Sequence, residues 1–465
     1  MAAARRVDVG TPSKRCCRGQ RRRQYCRLWG VRDLPTLDPK QIFLLQGPLG
    51  SYFDFLSQRL RGAGYATLDL CFNLGDALYR PAKDHVSFRG PPNKWRAELL
   101  RLCRLHRPQC FIMFGDRRPV HIVACEVAKE LGILVYSFEE GYLRPDYVTF
   151  ERDGNNARSA IAAELPAFVE REWQVGPRPV GKSFGKMARR AVVYQWALAF
   201  GHAFSRGYVH HRQRRVVPEA LLWTRGLWRK LAHARTDEAL ETALKREHDR
   251  KYFVVALQVH DDLQGLHHGA GWTQESLIIA AIRSFARHAP KDTRLVIRYH
   301  PMDRGHVSYR SLVERHARAE GAAGRVLLMF NGHGPSILTH AAGFISVNST
   351  MALSAMHHGC PVFALGDCFY RMPGLTASGR DEAALDAFWS APPPIDQALF
   401  MRFRALIVQK TQINGNFYLE RFYPAMSTAT IGRLARDGLA ARHFAPAFGA
   451  PDMADGPLAS GVPAE

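Results

Sequence analysis

The stretch RLVIRYHPMDRG at residues 294–305 decides the fold, together with AGFISVNSTMALSAMHHGCPVFALG at residues 342–366. Within them, Leu295–Tyr299 and Gly343–Val347 are short apolar runs rich in branched side chains, which predicts two buried strands. The helical pattern between the second run and Val362–Leu365 ends at a glycine, as helices commonly do. Strands that alternate with helices predict a parallel α/β sheet.

Polar loops follow both predicted strands. His300 and Pro301 follow the first, where the proline favours an extended turn. Asn348, Ser349 and Thr350 follow the second, and such side chains are typical of a helix start. Open α/β sheets bind ligands at the carboxyl ends of their strands, and a helix start with hydroxyl groups suits a phosphate. We therefore expect a ligand site at this edge of the sheet.

Length, composition and charge restrict the class of protein. The 465 residues suffice for two α/β domains, and 46% hydrophobic with 23% charged residues is typical of a folded enzyme. The formal net charge of +22 predicts an anionic partner. Because the chain shows no zinc-finger spacing and no nucleic-acid motif, a membrane surface or a phosphorylated substrate is favoured over nucleic acid. The nine cysteines form no CxxC pair, which predicts a reduced cytoplasmic protein.

The two terminal segments differ in composition from the rest. Residues 1–40 hold eleven Lys or Arg against three Asp and lack the apolar core of a secretory signal. We expect a disordered arm there; a basic arm that contacts anionic lipid is the alternative. Residues 441–465 are rich in Ala, Pro and Gly, which also predicts disorder. No run of about 18 apolar residues occurs, so the sequence predicts no membrane-spanning helix.

The first α/β half is predicted at residues 41–180. Its first strand, Gln41–Leu45, leads into the loop QGPLG, which contains Gly47 and Gly50, and then into a helix and a second strand. The loop lacks the GxGxxG spacing of dinucleotide-binding proteins. Either it is a tight turn, or its glycines let the backbone approach a substrate closely. The sequence leaves both interpretations open.

Three carboxylates are predicted at strand ends of this half. Asp116 comes after the strand Cys110–Phe114, and Glu139 and Glu140 are expected in the exit loop of the next strand, with Arg144 nearby. Such a grouping favours a catalytic role. The alternative is structural, with Asp116 as a helix cap and the two glutamates solvated, and spacing alone does not separate the two.

A basic, aromatic segment at residues 181–250 is predicted to form helices between the two halves. Residues 181–235 contain twelve Lys or Arg and one acid. The aromatic side chains either form the core of an interdomain helical pair or lie at headgroup depth on a membrane surface. The residues expected to contact the membrane are three arginines and two tryptophans: Arg212, Arg214, Arg215, Trp223 and Trp228.

The second α/β half is predicted at residues 251–440. Its first strand, Tyr252–Leu257, leads into a loop that contains Gln258 and His260. The polar segment TQINGNFY at residues 411–418 follows a helical pattern near the end of this half. We expect that segment to cross back to the first half.

Nine motifs in chain order point to one protein family. They are QGPLGSYF, the N-x-GD of residues 73–76, FEEGYLRPDYVT, LQVHDD, HPMDRG, VNSTMAL, HHGCPV, LGDCFYRMPGLT and KTQINGNFY. The resemblance that they carry runs from about Phe43 to Tyr423, which is nearly the whole chain outside the two terminal segments. On these motifs the sequence resembles the KpsS-type capsular polysaccharide proteins.

The resemblance implies a fold, a reaction and a location. These proteins, with the related KpsC proteins, are similar to retaining β-Kdo transferases of GT-B fold, which use CMP-Kdo to build a short linker on a phosphatidylglycerol-type lipid. Such a chain would be a peripheral protein on the cytoplasmic face of the inner membrane, next to other capsule synthesis and export proteins. GT-B transferases generally need no metal or cofactor. The pair Asp261-Asp262 beside His260 is judged an unfavourable metal site.

The resemblance also assigns roles to the residues of the second half. His300-Pro301 matches the HP motif of the nucleotide-sugar site. Gln258 begins the counterpart of a QP-like motif, although here the chain reads Gln-Val-His. Ser349 and Thr350 would bind the CMP phosphate.

In the first half, the resemblance points to the carboxylates. Asp116 is the candidate nucleophile, and Glu139 or Glu140 is the candidate acid/base. Two other functions remain as alternatives: a non-catalytic component of capsule export, and a nucleotide-sugar epimerase or hydrolase of similar fold.

Overall fold

The computed structural model describes residues 39–80, 85–168, 178–201, 216–260 and 269–440. For residues 216–220 it describes only the backbone. Residues 1–38 and 441–465 therefore lie outside the described residues, as do Arg212, Arg214 and Arg215. The described chain is a mixed α/β protein with two largely parallel sheets, which confirms the predicted fold class. Within the described chain, no helix is both long enough and apolar enough to cross a membrane.

The first sheet has seven strands in the order β13-β6-β5-β4-β1-β2-β3. The five strands β5, β4, β1, β2 and β3 run parallel, whereas β6 and β13 are antiparallel to their neighbours. The strands are β1 Gln41–Leu45, β2 Ala66–Cys71, β3 His85–Ser87, β4 Cys110–Phe114, β5 Leu134–Glu140, β6 Tyr147–Arg152 and β13 Gln412–Asn414.

The second sheet has six strands, all parallel, in the order β12-β11-β10-β7-β8-β9. Its central strands are buried on both faces, as expected for continuous apolar runs in a parallel sheet. The strands are β7 Tyr252–Ala256, β8 Arg294–Arg298, β9 Val326–Met329, β10 Gly343–Ser346, β11 Val362–Ala364 and β12 Ala377–Ser378.

Helices cover both sheets and connect the parallel strands. Those of the first half and the segment after it are α1 Tyr52–Gly62, α2 Leu74–Ala77, α3 Trp95–His106, α4 Pro119–Leu131, α5 Ile161–Glu164, α6 Phe184–Gly201, α7 Val216–Ala232 and α8 Ala234–Glu247. Those that follow β7 are α9 Gln274–His288, α10 Arg310–Ala319, α11 Gly334–Thr339, α12 Met351–His357, α13 Ala383–Ser390, α14 Gln397–Lys410 and α15 Tyr423–Leu434.

The chain returns to the first sheet after α14. Strand β13 pairs antiparallel with β6, with Gln412 opposite Thr149. The side-chain nitrogen Nε2 of Gln412 donates to the Thr149 hydroxyl over 3.1 Å. In the following helix α15, the guanidinium of Arg433 donates to the carbonyl of Phe150 over 2.8 Å. Strand β13 and helix α15 are therefore part of the first half.

Tyr142 joins the two halves from the hairpin between β5 and β6. Its ring stacks on Phe369 at 4.3 Å between centroids and 25° between planes, and it belongs to the core cluster that contains Val254 of β7 and Val296 of β8. The neighbouring helix α5 adds Ile161 to the same cluster. Apolar burial at this junction therefore holds the halves in contact.

The basic aromatic helices divide between the two halves. Tyr194 of α6 donates from its hydroxyl to the Asp76 carboxylate over 2.8 Å, so α6 packs on the first half. The Asp237 carboxylate of α8 accepts from the backbone amide of Asn331 over 2.9 Å, and Arg229 of α7 donates to the carbonyl of Arg304 over 2.6 Å. Helices α7 and α8 are therefore fixed to the second half.

Gly305 should not tolerate a side chain, because α7 crosses directly over it. A Cβ there would lie 1.8 Å from the carbonyl oxygen of Leu222. We expect Gly305→Ala to destabilise the protein by about 1–3 kcal/mol or to displace α7. The measurement is thermal and urea unfolding. Gly324→Ala is the control, since a Cβ there meets nothing within 4 Å, and equal loss in both variants would contradict the tight crossing.

Glu151 of β6 should make stability fall as pH rises. Burial raises its pKa from 4.5 to about 7, although hydrogen bonds from Ser159 and Tyr142 oppose that rise. Between these two values the folded state binds more protons than the unfolded state, so raising the pH from about 4.5 to 7 should cost roughly 3 kcal/mol. Glu151→Gln should lose this dependence in urea melts across pH. The exposed Glu247→Gln is the control, and a wild-type slope in Glu151→Gln would contradict the assignment.

Candidate active site

Side chains from two neighbouring strand ends meet at the carboxyl edge of the second sheet. Gln258 follows β7 and Asn348 follows β10, and these strands are adjacent. The Gln258 amide nitrogen donates to the Asn348 side-chain oxygen over 2.8 Å, and both residues are buried. The structure thus brings together two of the residues predicted for donor binding, and their bond fixes the shape of this edge.

His260 is held in place by a buried aspartate. Its Nδ1 lies 2.6 Å from Asp303 Oδ1, and its backbone amide donates to Asp303 Oδ2 over 3.1 Å. The Asp303 side chain is 1% exposed, whereas the His260 ring is 38% exposed. The ring is therefore oriented from inside while its other nitrogen, Nε2, points away from the aspartate. Asp303 was missed in the sequence analysis, although it stands two residues after the HP pair.

His300 and Pro301 begin the loop after Tyr299, which directly follows β8. His300 is half-buried, and its Nδ1 accepts a hydrogen bond from the backbone amide of Met302 over 3.2 Å. A ring whose Nδ1 accepts carries its proton on Nε2. The imidazole therefore presents an N–H donor at the sheet edge. Pro301 is exposed.

Ser349 and Thr350 lie at the start of α12, as predicted, but their roles differ. The Ser349 hydroxyl accepts from the backbone amide of Met351 over 3.3 Å, and its carbonyl accepts from the Tyr370 hydroxyl over 2.7 Å. Thr350 is the N-cap residue by position, and its side chain makes no capping hydrogen bond. Ser349 therefore supports the loop, and both side chains are half-buried at this edge.

The two glycines after β1 serve packing and turn geometry. A Cβ on Gly47 would meet the Phe53 ring at 2.6 Å. Gly50 has φ +112°, and a Cβ there would lie 2.4 Å from Nη1 of Arg190 on α6. The structure therefore favours the tight-turn interpretation, in which the close approach is to protein side chains.

A buried network explains the N-x-GD motif of residues 73–76. The Asp76 carboxylate accepts hydrogen bonds from the Gln46 side chain over 3.1 Å, from the Asn73 side chain over 2.9 Å and from the Tyr194 hydroxyl. Arg118, which was not singled out from the sequence, donates to the carbonyl of Gln46 over 3.0 Å. These bonds join the loops after β1, β2 and β4 into one rigid edge.

Asp116 is buried directly after β4 and its carboxylate is paired with arginine. Its side chain is 1% exposed, with Oδ2 3.3 Å from Nη1 of Arg158 and 3.9 Å from Nε of Arg117. Its other oxygen, Oδ1, has no hydrogen-bond partner among the described residues. A buried carboxylate oxygen without a partner is costly for a purely structural residue.

A buried histidine contacts the backbone of the loop that contains Asp116. His121 of α4 lies with Nδ1 2.5 Å from the carbonyl oxygen of Gly115. Burial, followed by the charge of Arg118, lowers the pKa of His121 to about 3, so the ring stays neutral. The neutral ring therefore donates from Nδ1 and fixes the backbone just before Asp116.

The two glutamates do not lie in an exit loop, which corrects the sequence analysis. Glu139 and Glu140 are the last residues of β5, because the antiparallel strand β6 extends the pairing to Thr149 and Val148. Successive strand residues point to opposite faces. The structure therefore separates the two carboxylates instead of placing them side by side.

Each glutamate has its own surroundings. A Cβ on Gly115 would lie 3.3 Å from Oε2 of Glu139, so that carboxylate faces the backbone beside Asp116. Oε1 of Glu140 accepts from the Tyr418 hydroxyl over 2.9 Å. Burial and the Glu140 charge raise the pKa of Tyr418 well above its ordinary value, so the phenol remains a donor. Glu139 is thus the glutamate close to Asp116.

The remaining residues proposed for binding lie on the surface. Arg144 is exposed, and its Nε donates to the carbonyl of Gly141 over 3.3 Å. Trp223 and Trp228 of α7 are 37% and 65% exposed, and the Trp223 ring lies 6.1 Å from that of His306. One face of α7 is therefore exposed while another packs on the loop after β8.

Metal ligands do not cluster in the described part of the chain. There, no group of three or more His, Cys, Asp or Glu side chains is placed to hold an ion. The pair Asp261-Asp262 considered in the sequence analysis lies outside the described residues.

Comparisons with known proteins agree on one family. The family model "Capsule polysaccharide biosynthesis protein" matches residues 109–418. The capsule polysaccharide modification protein LipB of Neisseria meningitidis serogroup A is 34% identical over 403 residues, which cover 84% of this chain and 94% of that protein. The capsule polysaccharide export protein KpsS of Escherichia coli is 34% identical over 387 residues, which cover 82% and 98%.

Solved structures show a more distant likeness. The Thermosulfurimonas dismutans KpsC β-Kdo 2,7 transferase matches with a TM-score of 0.41 and 13% identity, over 79% of this chain and 89% of that one. The UDP complex of S. aureus MnaA matches with a TM-score of 0.32 and 12% identity, over 86% and 97%. The family model and the two relatives confirm the resemblance read from the motifs: the chain belongs to the capsule polysaccharide biosynthesis protein family.

Proposed function

We propose that this protein is a retaining β-Kdo transferase of GT-B type, which uses CMP-Kdo to build the capsule linker on a phosphatidylglycerol-type lipid. One observation carries the proposal. Asp116, with an unpartnered oxygen among the described residues, follows β4, and the Glu139 carboxylate of the adjacent strand β5 lies against the neighbouring Gly115. Two carboxylates at adjacent strand ends suit a two-step displacement.

In the first step, an Asp116 oxygen attacks the anomeric carbon of Kdo. The bond from that carbon to the CMP phosphate breaks, and CMP leaves with the electron pair. Arg158 and Arg117 lie against the Asp116 carboxylate and orient it. The buried ion pairs must loosen for attack, so the donor has to replace part of the arginine contact.

In the second step, an acceptor hydroxyl displaces Asp116 from the sugar. Glu139 is the favoured general base for that hydroxyl because it is the glutamate beside the Asp116 backbone, whereas Glu140 is held by Tyr418. The CMP would lie at the edge of the second sheet, where His300 follows β8 and His260 is oriented by Asp303.

The anionic acceptor lipid would be reached from a membrane surface. Helices α6 and α7 contact each other and carry exposed apolar side chains, among them Phe200, 71% exposed, Trp228, 65%, and Leu231, 67%. Exposed lysines and arginines stand beside them, including Lys186 and Arg225. Apolar side chains among cations are typical of peripheral binding to an anionic leaflet.

Replacing Asp116 should abolish transfer and leave nucleotide binding intact. We expect Asp116→Ala to lower turnover by at least about a thousandfold, because no covalent sugar intermediate can form. The assay combines CMP-Kdo with a phosphatidylglycerol acceptor and detects the product lipid and any Kdo–protein adduct by mass spectrometry. The surface variant Asp153→Asn is the control.

Four results of that assay contradict the proposal in different ways. Wild-type turnover in Asp116→Ala, or an adduct on another residue, would remove Asp116 from the mechanism. Release of free Kdo alone by the wild-type protein would indicate a hydrolase. No turnover by the wild-type protein would favour a non-catalytic component of capsule export.

The exposed face of α7 should be needed for membrane binding. We expect Leu231→Asp to reduce sedimentation with phosphatidylglycerol vesicles, because a charge would replace an inserted apolar side chain. Neutralising Arg212, Arg214 and Arg215 together should make the remaining binding weaker and more easily released by salt, at about 1 kcal/mol for each cation near the surface. The control is Leu105→Asp on α3, where the leucine is 64% exposed. Equal losses at Leu231 and Leu105, or no wild-type binding at low salt, would refute the membrane surface.

A further inference from the structure

Arg298 is a half-buried arginine at the edge where the second sheet should bind its ligand. It is the last residue of β8, two positions before His300. Its side chain points to the same face of the sheet as Val296, whose side chain lies in the core cluster that Met351 of α12 also contacts. The guanidinium is thus placed between the end of β8 and the beginning of α12.

The guanidinium has few partners for a group with five N–H donors. One terminal nitrogen donates to the carbonyl of Gly332 over 3.3 Å, and the other lies 3.6 Å from the sulfur of Met351, a weak acceptor. The remaining nitrogen, Nε, is buried and has no hydrogen-bond partner among the described residues. The charge of Glu241 acts on this arginine, but the described residues show no ion pair between the two. Burying a guanidinium with so few hydrogen bonds and no ion pair costs free energy, and a bound anion would reduce that cost.

The electrostatic surroundings of Arg298 favour an anionic ligand. Burial, followed by the nearby positive charge of Arg304, lowers the pKa of Arg298 below its ordinary value, and the negative charge of Glu241 opposes this. Nε of Arg304 donates a hydrogen bond to the carbonyl of Phe330 over 2.6 Å. Burial and Arg304 thus disfavour the charged form of Arg298, and a bound anion would favour it.

We propose that Arg298 binds the phosphate of a nucleoside 5′-monophosphate unit in the donor. This inference rests on the proposed function and adds to it the residue that recognises the leaving nucleotide. A guanidinium matches phosphate through two parallel N–H donors, which a lysine cannot reproduce. His300 stands two residues further along the same chain, at the same end of the sheet.

The test is calorimetric binding of nucleotides without any acceptor lipid. The wild-type protein is first titrated with CMP, UMP, AMP and GMP, and the tightest of these is kept as the probe, with its nucleoside as the phosphate-free reference. We expect Arg298→Gln to weaken binding of the monophosphate at least about tenfold and to leave nucleoside binding unchanged. The monophosphate affinity of Arg298→Lys should lie between those of the wild type and Arg298→Gln, because lysine keeps the charge and lacks the two parallel donors.

The matched control is Arg294→Gln. Arg294 is the first residue of β8 and points to the same face of the sheet as Arg298, but it lies at the amino end of the strand, away from the proposed ligand site. It should change monophosphate binding less than twofold. If Arg298→Gln fails to fold, protection of Arg298 in the wild-type protein from phenylglyoxal by the monophosphate replaces the titration, with mass spectrometry as the readout.

Full monophosphate affinity in folded Arg298→Gln, or no protection of Arg298, would overturn the inference. Failure of the wild-type protein to bind any of the four monophosphates would overturn it as well. A preference for a monophosphate other than CMP would refute only the proposed donor, since Arg298 is then tested with that nucleotide. The two proposals therefore fail on different measurements.

Discussion

Tyr142 is the contact on which the arrangement of the two halves depends. Its ring stacks on Phe369 of the second half, its hydroxyl donates to the buried Glu151 over 2.9 Å, and its backbone amide donates to the returning Gln412 over 3.0 Å. A stacked aromatic pair contributes about 0.5–1.5 kcal/mol beyond its buried area. One residue thus connects the second half, strand β6 and strand β13, so the loops of both halves are held by a common core.

The two sheets present different chemistry at their carboxyl edges. The first half places carboxylates at the ends of β4 and β5. Asp116, for example, forms an ion pair with Arg158. The second half offers cations and hydrogen-bond donors, namely Arg298, His300 and His260. A nucleotide-activated acidic sugar carries negative charge that suits the second edge and an electrophilic carbon that suits the first. This division of roles supports a transferase over a protein that only binds.

Local sequence patterns anticipated the elements better than the contacts between them. The strand at residues 294–298 and the helix start at Thr350 follow from apolar runs and polar loops, which act over a few residues. Glu139 and Glu140 were misplaced because the length of β5 depends on pairing with an antiparallel neighbour. The pairing of His260 with Asp303 joins residues 43 positions apart, and no local pattern indicates it.

By itself, the sequence determined the fold class, the family and the strand ends at which polar residues gather, because periodicity, turn residues and motifs are properties of short stretches. Only the tertiary structure decided which of those residues are buried, paired or left unsatisfied. Asp116 with its unpartnered oxygen and Arg298 with its buried Nε are ordinary charged residues in the sequence. Their significance arises from desolvation and from the distances to groups that the fold brings near them, and neither quantity exists before the chain is folded.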